Sequence, residues 1–243
     1  MNAVPKTIRR RTWWVLWSLL AATAIATSGL AVPPYLTGDP TDSTMSLNPD
    51  VAAHYLSIIV HAVPGGLALI IGPFQFVGGL RARYPKLHRI AGRVYLVCVV
   101  WAALASLVAA VFSISGLAAQ MAFVILAAAW TYTGVQAYRA IRRGEVALHR
   151  TWMIRNYALT FAAVTLRVYL GVGLLLQGAF PSLTFSEVYT ASAWTSFVLN
   201  ALVAEYFIVQ RTLRPRARHG RADAEDSGPT AVAVVGATAG QRA

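Results

Sequence analysis

The chain has 243 residues, of which 57% are hydrophobic and 12% are charged, and its formal net charge at pH 7 is +12. Soluble domains carry about twice this share of charged residues, so the composition excludes an ordinary soluble domain. The basic residues stand in short segments beside apolar runs, which argues against nucleic acid as a partner and indicates a membrane protein. The single cysteine, Cys98, excludes an intramolecular disulfide framework and a four-cysteine metal site.

Six apolar runs follow one another along the chain, and each is long enough to cross a bilayer. The predicted spans are 13–32, 55–77, 94–114, 117–138, 153–176 and 188–209. The first follows a basic stretch, but its length and the tryptophans at 13, 14 and 17 favour a retained helix over a signal peptide. We therefore predict an all-α integral membrane protein. Its membrane domain covers residues 1–210, and a disordered cytoplasmic tail covers residues 211–243.

The basic residues fall on one side of this predicted topology. Of the 21 Lys and Arg residues, 20 lie on the side of the N-terminus, and the remaining one, Arg167, lies within the fifth span. The opposite side receives Asp39, Asp42, Asp50 and Glu187 and no basic residue. This positive-inside pattern predicts a multi-pass protein of the cell (plasma) membrane with both termini cytoplasmic. The basic loops predict contact with the anionic lipids of the cytoplasmic face.

The second span contains helix-breaking residues close to a histidine. His61 is followed by Pro64 and then by Pro73, and each proline removes a backbone donor. Membrane helices tolerate such kinks where neighbouring groups satisfy the freed carbonyls. The kinks indicate either close helix packing or a bend that opens a cavity beside His61.

A short motif occurs twice along the chain. The pattern LHR-x3-R-x-Y occupies residues 87–95, and LHR-x4-R-x-Y occupies residues 148–157. Each copy follows a basic cluster and enters an apolar run, which is consistent with two helix hairpins in tandem. We expect His88 and His149 to enter the membrane from the cytoplasmic face at similar depth.

These segments resemble a family of bacterial predicted multi-pass membrane proteins that share a domain of unknown function. The resemblance is carried by GPFQF at 72–76, LHRIAGRVY at 87–95 and LHRTWMIRNY at 148–157, and it covers about residues 55–175. It supports the predicted topology and implies no reaction.

Two layers of the membrane domain can hold a polar site. In the outer half, His61 and Arg167 can share one level, and a charged Arg within a span is costly unless it is paired or wetted. One interpretation is that Arg167 extends its side chain outward to the membrane surface. The other is that it faces an internal cavity and binds an anionic or carbonyl-bearing molecule.

The inner layer contains His88, Arg93, His149 and Arg155. These residues can be interfacial neighbours of the positive-inside arginines, or they can bind a phosphate or an anionic lipid headgroup. A third interpretation is a b-type haem, with His88 and His149 as axial ligands on facing helices.

The sequence contains no hydrolase triad, metalloprotease motif or phosphate-binding loop, and no catalytic residue is predicted. The predicted function is a His/Arg polar site within the membrane that binds or transports a small or anionic molecule. The alternatives are a haem electron carrier and a membrane scaffold without a ligand site. No cofactor is predicted beyond the haem alternative.

Overall fold

The computed structural model describes residues 6–213 of the chain. The chain divides into two compact units, Met1–Glu205 and Tyr206–Ala243. The contacts between helices lie in the first unit, and only the last turns of one helix belong to the described part of the second. Most of the tail that the sequence predicts to be disordered, from residue 214 onward, lies outside the described residues.

The described chain is helical, which confirms the predicted fold class. The helices are α1 (Lys6–Ala31), α2 (Ala52–Gln75), α3 (Gly78–Arg83), α4 (Pro85–Phe112), α5 (Leu117–Arg142), α6 (Val146–Thr160), α7 (Ala162–Gln177) and α8 (Phe185–Leu213). Two short 3-10 helices, Pro33–Tyr35 and Pro40–Asp42, follow α1. Six candidate spans are long and apolar enough to cross a membrane, and α6 and α7 together form the fifth.

Three predicted spans begin too late in the sequence. The first was expected from residue 13, the third from residue 94 and the fifth from residue 153, whereas α1 begins at Lys6, α4 at Pro85 and α6 at Val146. The basic and histidine residues of the two motifs therefore belong to the first turns of α4 and α6 and not to a loop. Charged first turns lower the local hydropathy, which is why the apolar pattern alone misplaces these three boundaries.

Large apolar side chains cover the outside of the spans. Leu30 is 80% exposed and Leu175 is 81% exposed. Small residues fill the contacts between helices, and Ala102, Ala122 and Ala137 are completely buried. Apolar residues outside and small residues between helices are the arrangement expected of helices that pack within lipid.

Four helices form a ring around the centre of the first unit. α2 packs against α4 and α6, and α5 packs against the same two helices. α4 and α6 therefore face each other across the ring, as do α2 and α5. Outside the ring, α1 packs on α2 and α7, and Asn200 of α8 donates to the Ala158 carbonyl of α6 at 3.0 Å.

The ring has two ends, because successive spans run in opposite directions. The basic end, as we call it here, comprises α3, the first turns of α4 and α6, and the last turn of α5 with the 143–145 loop. The opposite end comprises the loops 32–51, 113–116 and 178–184. These ends correspond to the predicted basic and acidic sides of the topology.

α1 is fixed to α2 by side-chain donors that reach backbone carbonyls. Trp17 Nε1 donates to the Pro73 carbonyl at 2.9 Å, and Ser28 Oγ donates to the Gly66 carbonyl at 3.2 Å. The absence of a side chain at Gly66 permits this approach, because a Cβ there would crowd Val32.

α2 continues through both of its prolines. Pro73 has no N–H, so the Leu69 carbonyl one turn earlier lacks its usual helical donor. Tyr157 Oη of α6 donates to this carbonyl at 3.1 Å. The Tyr157 ring fits here because Gly72 has no side chain, since a Cβ at that position would overlap the ring. A neighbouring helix thus supplies the bond that the proline removes.

Candidate functional site

A network of hydrogen bonds joins α4, α5 and α6 at the centre of the ring. Tyr95 Oη donates to Asn156 Oδ1 at 2.7 Å and lies 2.8 Å from the Thr160 hydroxyl. Trp130 Nε1 donates to Thr160 Oγ1 at 2.9 Å. Asn156 Nδ2 donates to the Trp130 carbonyl at 2.8 Å and to Thr133 Oγ1 at 2.9 Å. Because buried polar groups are costly unless they are bonded, this network fixes the register of α4 against α6.

That register places His88 and His149 on facing helices at one level. His88 stands seven residues before Tyr95, and His149 stands seven residues before Asn156. Seven residues are about two helical turns, so each histidine lies on the same face as its network residue, about 10 Å nearer the basic end. Each histidine is the fourth residue of its helix, and the two interact electrostatically. The expectation of similar depth therefore agrees with the structure.

The imidazole of His149 has a defined orientation. Its Nδ1 lies 2.8 Å from the Ala137 carbonyl of α5, so Nδ1 carries the proton and donates it. In the neutral imidazole the other nitrogen, Nε2, is then an acceptor, and no described residue donates a hydrogen bond to it. Histidines that bind a metal or a polar ligand through Nε2 usually donate their other ring N–H to a carbonyl or carboxylate in this way.

A buried amide lies beside the histidine face of α4. Gln75, the last residue of α2, is 9% exposed, and its Oε1 is buried without a hydrogen-bond partner among the described residues. A Cβ placed on Gly92 would lie 3.5 Å from this oxygen, and Gly92 is one turn after His88. Arg81 of α3 also interacts electrostatically with His88. The basic end therefore collects Gln75, Arg81, His88 and His149.

The two motif arginines do not join this cluster. Arg155 pairs with Glu205 of α8 through two hydrogen bonds, at 2.5 Å from Nε and 2.9 Å from Nη2, and stacks over the Trp152 ring at 4.7 Å. Arg93 is exposed and forms no hydrogen bond or ion pair with any described residue. The predicted inner layer is thus brought together in part, with Arg155 fixing α8 to α6.

His61 occupies the other level of the ring. Its Nδ1 lies 2.9 Å from the Ala102 carbonyl of α4, and its ring packs edge-on against Trp130 of α5, with centroids 6.3 Å apart. A carbonyl can only accept, so Nδ1 of His61 carries the proton, and no described residue bonds to its Nε2. The bend or cavity predicted beside His61 is filled on this side by the Trp130 indole.

Arg167 of α7 lies at the level of His61 without bonding to it. Its Nη1 donates to the Ala163 carbonyl at 2.8 Å, and Tyr35, Tyr189 and His61 lie within electrostatic range of it. The side chain itself is exposed, whereas Tyr35 and Tyr189 are buried. Three other elements therefore bring a polar aromatic or imidazole group into electrostatic range of the guanidinium.

The direction of the Arg167 side chain shows whether it extends outward to the membrane surface. Ala163 is one turn earlier in α7, towards the middle of the fifth span, whereas the nearer end of that span is Gln177. An arginine that extends to the nearer membrane surface would point the other way. The guanidinium is therefore turned along α7 towards the middle of its span and not towards the nearer end.

Some residues of the two layers could not be identified from motifs. The outer layer also includes Tyr35, Trp130 and Tyr189. In the sequence, nothing distinguishes these residues from ordinary interfacial or core aromatic residues. A weak signal was present, because a buried Tyr or Trp within a span needs a partner for its polar atom. In the described part of the chain, no group of three or more His, Cys, Asp or Glu side chains is placed to hold a metal ion.

The fold and these polar layers define a multi-pass, all-α membrane protein with six spans and hydrogen-bonded groups at its centre. The chain belongs to DUF2306, a family of predicted membrane proteins, whose family model matches residues 58–208, more than half of the chain. This confirms the resemblance found in the sequence. No curated protein and no solved structure matches the chain.

Proposed function

We propose that this protein binds a small anionic molecule at Arg167, in the half of the membrane away from the basic end. The observation that carries the proposal is the state of the guanidinium. It has one hydrogen bond, to a carbonyl of its own helix, and no carboxylate partner in the part of the chain that the structure describes. Arg is permanently protonated, and a charge within a span costs several kcal/mol unless it is paired or wetted. A bound anion would supply the partner.

The surroundings of Arg167 support an anion with several oxygen atoms. Tyr35 and Tyr189 are buried and lie within electrostatic range of the guanidinium. Tyr35 is held in place by the Thr44 hydroxyl at 3.1 Å, and His61 is held by the Ala102 carbonyl at 2.9 Å. Fixed side chains of this kind lose little conformational freedom on binding, which favours affinity.

The central network supports binding over open passage through the ring. Tyr95, Asn156, Thr160 and Trp130 lie between the two polar levels and are bonded to one another. An ion moving from Arg167 to the basic end through the ring would have to separate these groups. The proposal is therefore a binding site that opens to one side of the membrane.

The proposal is tested by anion-dependent stability in lipid nanodiscs. A ligand that binds only the folded state stabilises it by RT ln(1 + [L]/Kd), so the melting temperature rises with the ligand concentration. We expect sodium acetate or sodium phosphate to stabilise the wild type, and Arg167→Leu to abolish that stabilisation. The matched control is Arg89→Leu, because Arg89 is also exposed and also donates to a carbonyl four residues earlier in its own helix, at 3.3 Å from Pro85. Equal stabilisation of wild type and Arg167→Leu by both anions would contradict the proposal.

The same variant tests the environment of Arg167 without a ligand. Within residues 6–213 the guanidinium hydrogen-bonds only to its own helix, so Arg167→Leu leaves no described group without its partner and removes a costly charge from a span. We expect the ligand-free variant to be as stable as the wild type or more stable. A clear loss of stability would show that other helices depend on the guanidinium.

We further propose that the basic end faces the cytoplasm of a cell whose plasma membrane holds the protein. The positive-inside pattern supports this orientation, and the exposed arginines of α3 and α4 suit anionic lipid headgroups. Reporter fusions at Asp42 and Phe180 are expected outside the cell, and fusions at Lys86, Gly144 and Ser227 in the cytoplasm. One fusion on the wrong side would contradict the six-span topology.

A second candidate function is electron transfer through a b-type haem held by His88 and His149. The observation that favours it is their placement on helices that face each other across the ring, with Nε2 of His149 free. His88 and His149 would ligate the iron of such a haem, which would carry one electron at a time. The optical spectrum of purified protein, oxidised and dithionite-reduced, tests this candidate. Absence of a Soret band after expression with excess haem would contradict it.

A further inference from the structure

One residue, Asn48, ties the segment before α2 to two helices. Its backbone N–H donates to Nδ1 of His54, in the first turn of α2, at 2.9 Å. Its side-chain Nδ2 donates to the carbonyl of Phe112, the last residue of α4, at 3.1 Å. Its Oδ1 accepts from the Asp50 N–H at 3.1 Å. The segment 43–51 is therefore held against the start of α2 and the end of α4 through Asn48.

The bond from Asn48 defines the protonation state of His54. A backbone N–H can only donate, so Nδ1 must be the unprotonated nitrogen of a neutral imidazole. An imidazolium carries a proton on both ring nitrogens and accepts from neither. The bond therefore exists only while His54 is neutral.

The surroundings of His54 do not compensate a positive charge while the segment is in place. The residue is only 3% exposed. It is the third residue of α2, and the first turn of a helix carries a positive partial charge that opposes a cation. The ends of α1 and α4 that adjoin the start of α2 carry no ionisable side chain. The titratable groups of the segment and of this end of α2 form no ion pair with His54, and these groups are Tyr35, Asp39, Asp42, Asp50 and Tyr55.

We infer that His54 is a pH-sensitive switch, which holds the segment 43–51 against α2 and α4 when neutral and releases it when protonated. Neither His54 nor Asn48 takes part in the proposed anion site, so this inference does not depend on that site. In the released state the imidazole takes up a proton near the ordinary pKa of histidine, about 6.5. Protonation favours release, so the attached state keeps its full stability above about pH 6.5 and loses it as the pH falls. The segment lies at the end opposite the basic end, so the switch responds to the pH on that side of the membrane.

Hydrogen exchange at the Asn48 amide measures the release directly, because exchange requires this N–H to leave His54 Nδ1. The full chain in lipid nanodiscs carries backbone nitrogen-15 on asparagine alone, which among the described residues occurs only at positions 48, 156 and 200. Each exchange rate is divided by the rate of an unstructured amide at the same pH. We expect the normalised rate of Asn48 to rise about 30-fold from about pH 7.5 to about pH 5. Asn156 and Asn200 should show no such rise, because both lie within helices of the bundle.

Two substitutions identify the group that titrates. His54→Asn keeps an acceptor, because the asparagine Oδ1 takes the position of Nδ1, and it does not titrate, so Asn48 should exchange slowly at every pH. His61→Asn is the matched control, because His61 is on the same helix but its Nδ1 donates to a carbonyl. The pH dependence at Asn48 should persist in this control. A normalised wild-type rate that does not change with pH would overturn the inference, and so would a rise that persists in His54→Asn.

The wild-type imidazole decides the matter if His54→Asn does not fold, which fast exchange at Asn156 and Asn200 would show. Nitrogen NMR of His54 should then find Nδ1 unprotonated at neutral pH, and its protonation should coincide with the rise at Asn48. A protonated Nδ1 at neutral pH, or a titration of His54 that does not coincide with the rise, would overturn the inference.

Discussion

Replacing Asn156 by Leu should destabilise the protein by about 2 kcal/mol. The substitution preserves much of the volume and removes three hydrogen bonds, one from Tyr95 and two to the Trp130 carbonyl and Thr133. Hydrogen bonds between membrane helices contribute about 0.6 kcal/mol each on average. None of the former partners is stranded, because Tyr95 Oη still reaches Thr160, and Thr133 Oγ1 still reaches the Ala129 and Trp130 carbonyls.

Tyr95→Phe should have a comparable cost for a different reason. It removes two bonds and leaves Asn156 Oδ1, which has no other hydrogen-bond donor among the described residues. An unsatisfied buried acceptor costs about 1–3 kcal/mol. Because both substitutions remove the same Tyr95–Asn156 bond, the double variant should lose about 1 kcal/mol less stability than the sum of the two single losses.

The assay is reversible unfolding in mixed detergent micelles, followed by tryptophan fluorescence. Tyr169→Phe serves as the control, because the Tyr169 side chain is half-buried on α7 and forms no hydrogen bond with the described residues. Independent sites add within about 0.5 kcal/mol. Additive effects of Tyr95→Phe and Asn156→Leu would therefore refute the reasoning that these two residues form the bond that fixes α4 against α6.

Two further predictions use the same unfolding assay. Gly72→Ala should lower the free energy of unfolding by about 1–3 kcal/mol, because the added Cβ overlaps the Tyr157 ring. Gly171→Ala is the control: a Cβ there meets no atom within 4 Å, so helix propensity should raise the free energy of unfolding by up to about 1 kcal/mol. Equal effects of the two substitutions would exclude the clash at Gly72. Glu205→Gln should lower the free energy of unfolding by less than about 1 kcal/mol, because the side chains of Arg155 and Glu205 are 28% and 44% exposed and water screens their charges. A loss of several kcal/mol would mean that this ion pair is far less hydrated than its exposure indicates.

The sequence predicts the spans because membrane helices must satisfy their backbone bonds internally, which leaves a long apolar run as the signal. It also predicts the common depth of His88 and His149, because both follow a basic cluster at the start of a span. The break between α6 and α7 at Phe161 has no such signal, since no proline or glycine stands there. Thr160 next to it bonds to Trp130, Tyr95 and the Asn156 carbonyl, so the break accompanies contacts between helices.

The repeated motif predicts position better than environment. Arg93 and Arg155 occupy corresponding places in the two copies, yet Arg155 pairs with Glu205 and Arg93 does not pair with any described residue. The difference comes from α8, which is available to α6. A pairing across 50 residues of sequence leaves no local trace in either segment, so these two arginines could not be separated before the structure was known.

Pro73 determines how α6 can dock. By removing one N–H, it leaves the Leu69 carbonyl as an acceptor on an otherwise saturated helix, and the Tyr157 hydroxyl binds to it. Rotating α6 by one residue would turn that hydroxyl about 100° away and leave the Leu69 carbonyl without a hydrogen-bond donor. Apolar contacts alone specify little about how one helix is rotated or shifted against another. The missing N–H of Pro73 therefore determines the rotation and depth of α6, because only one position of α6 brings the Tyr157 hydroxyl to the Leu69 carbonyl.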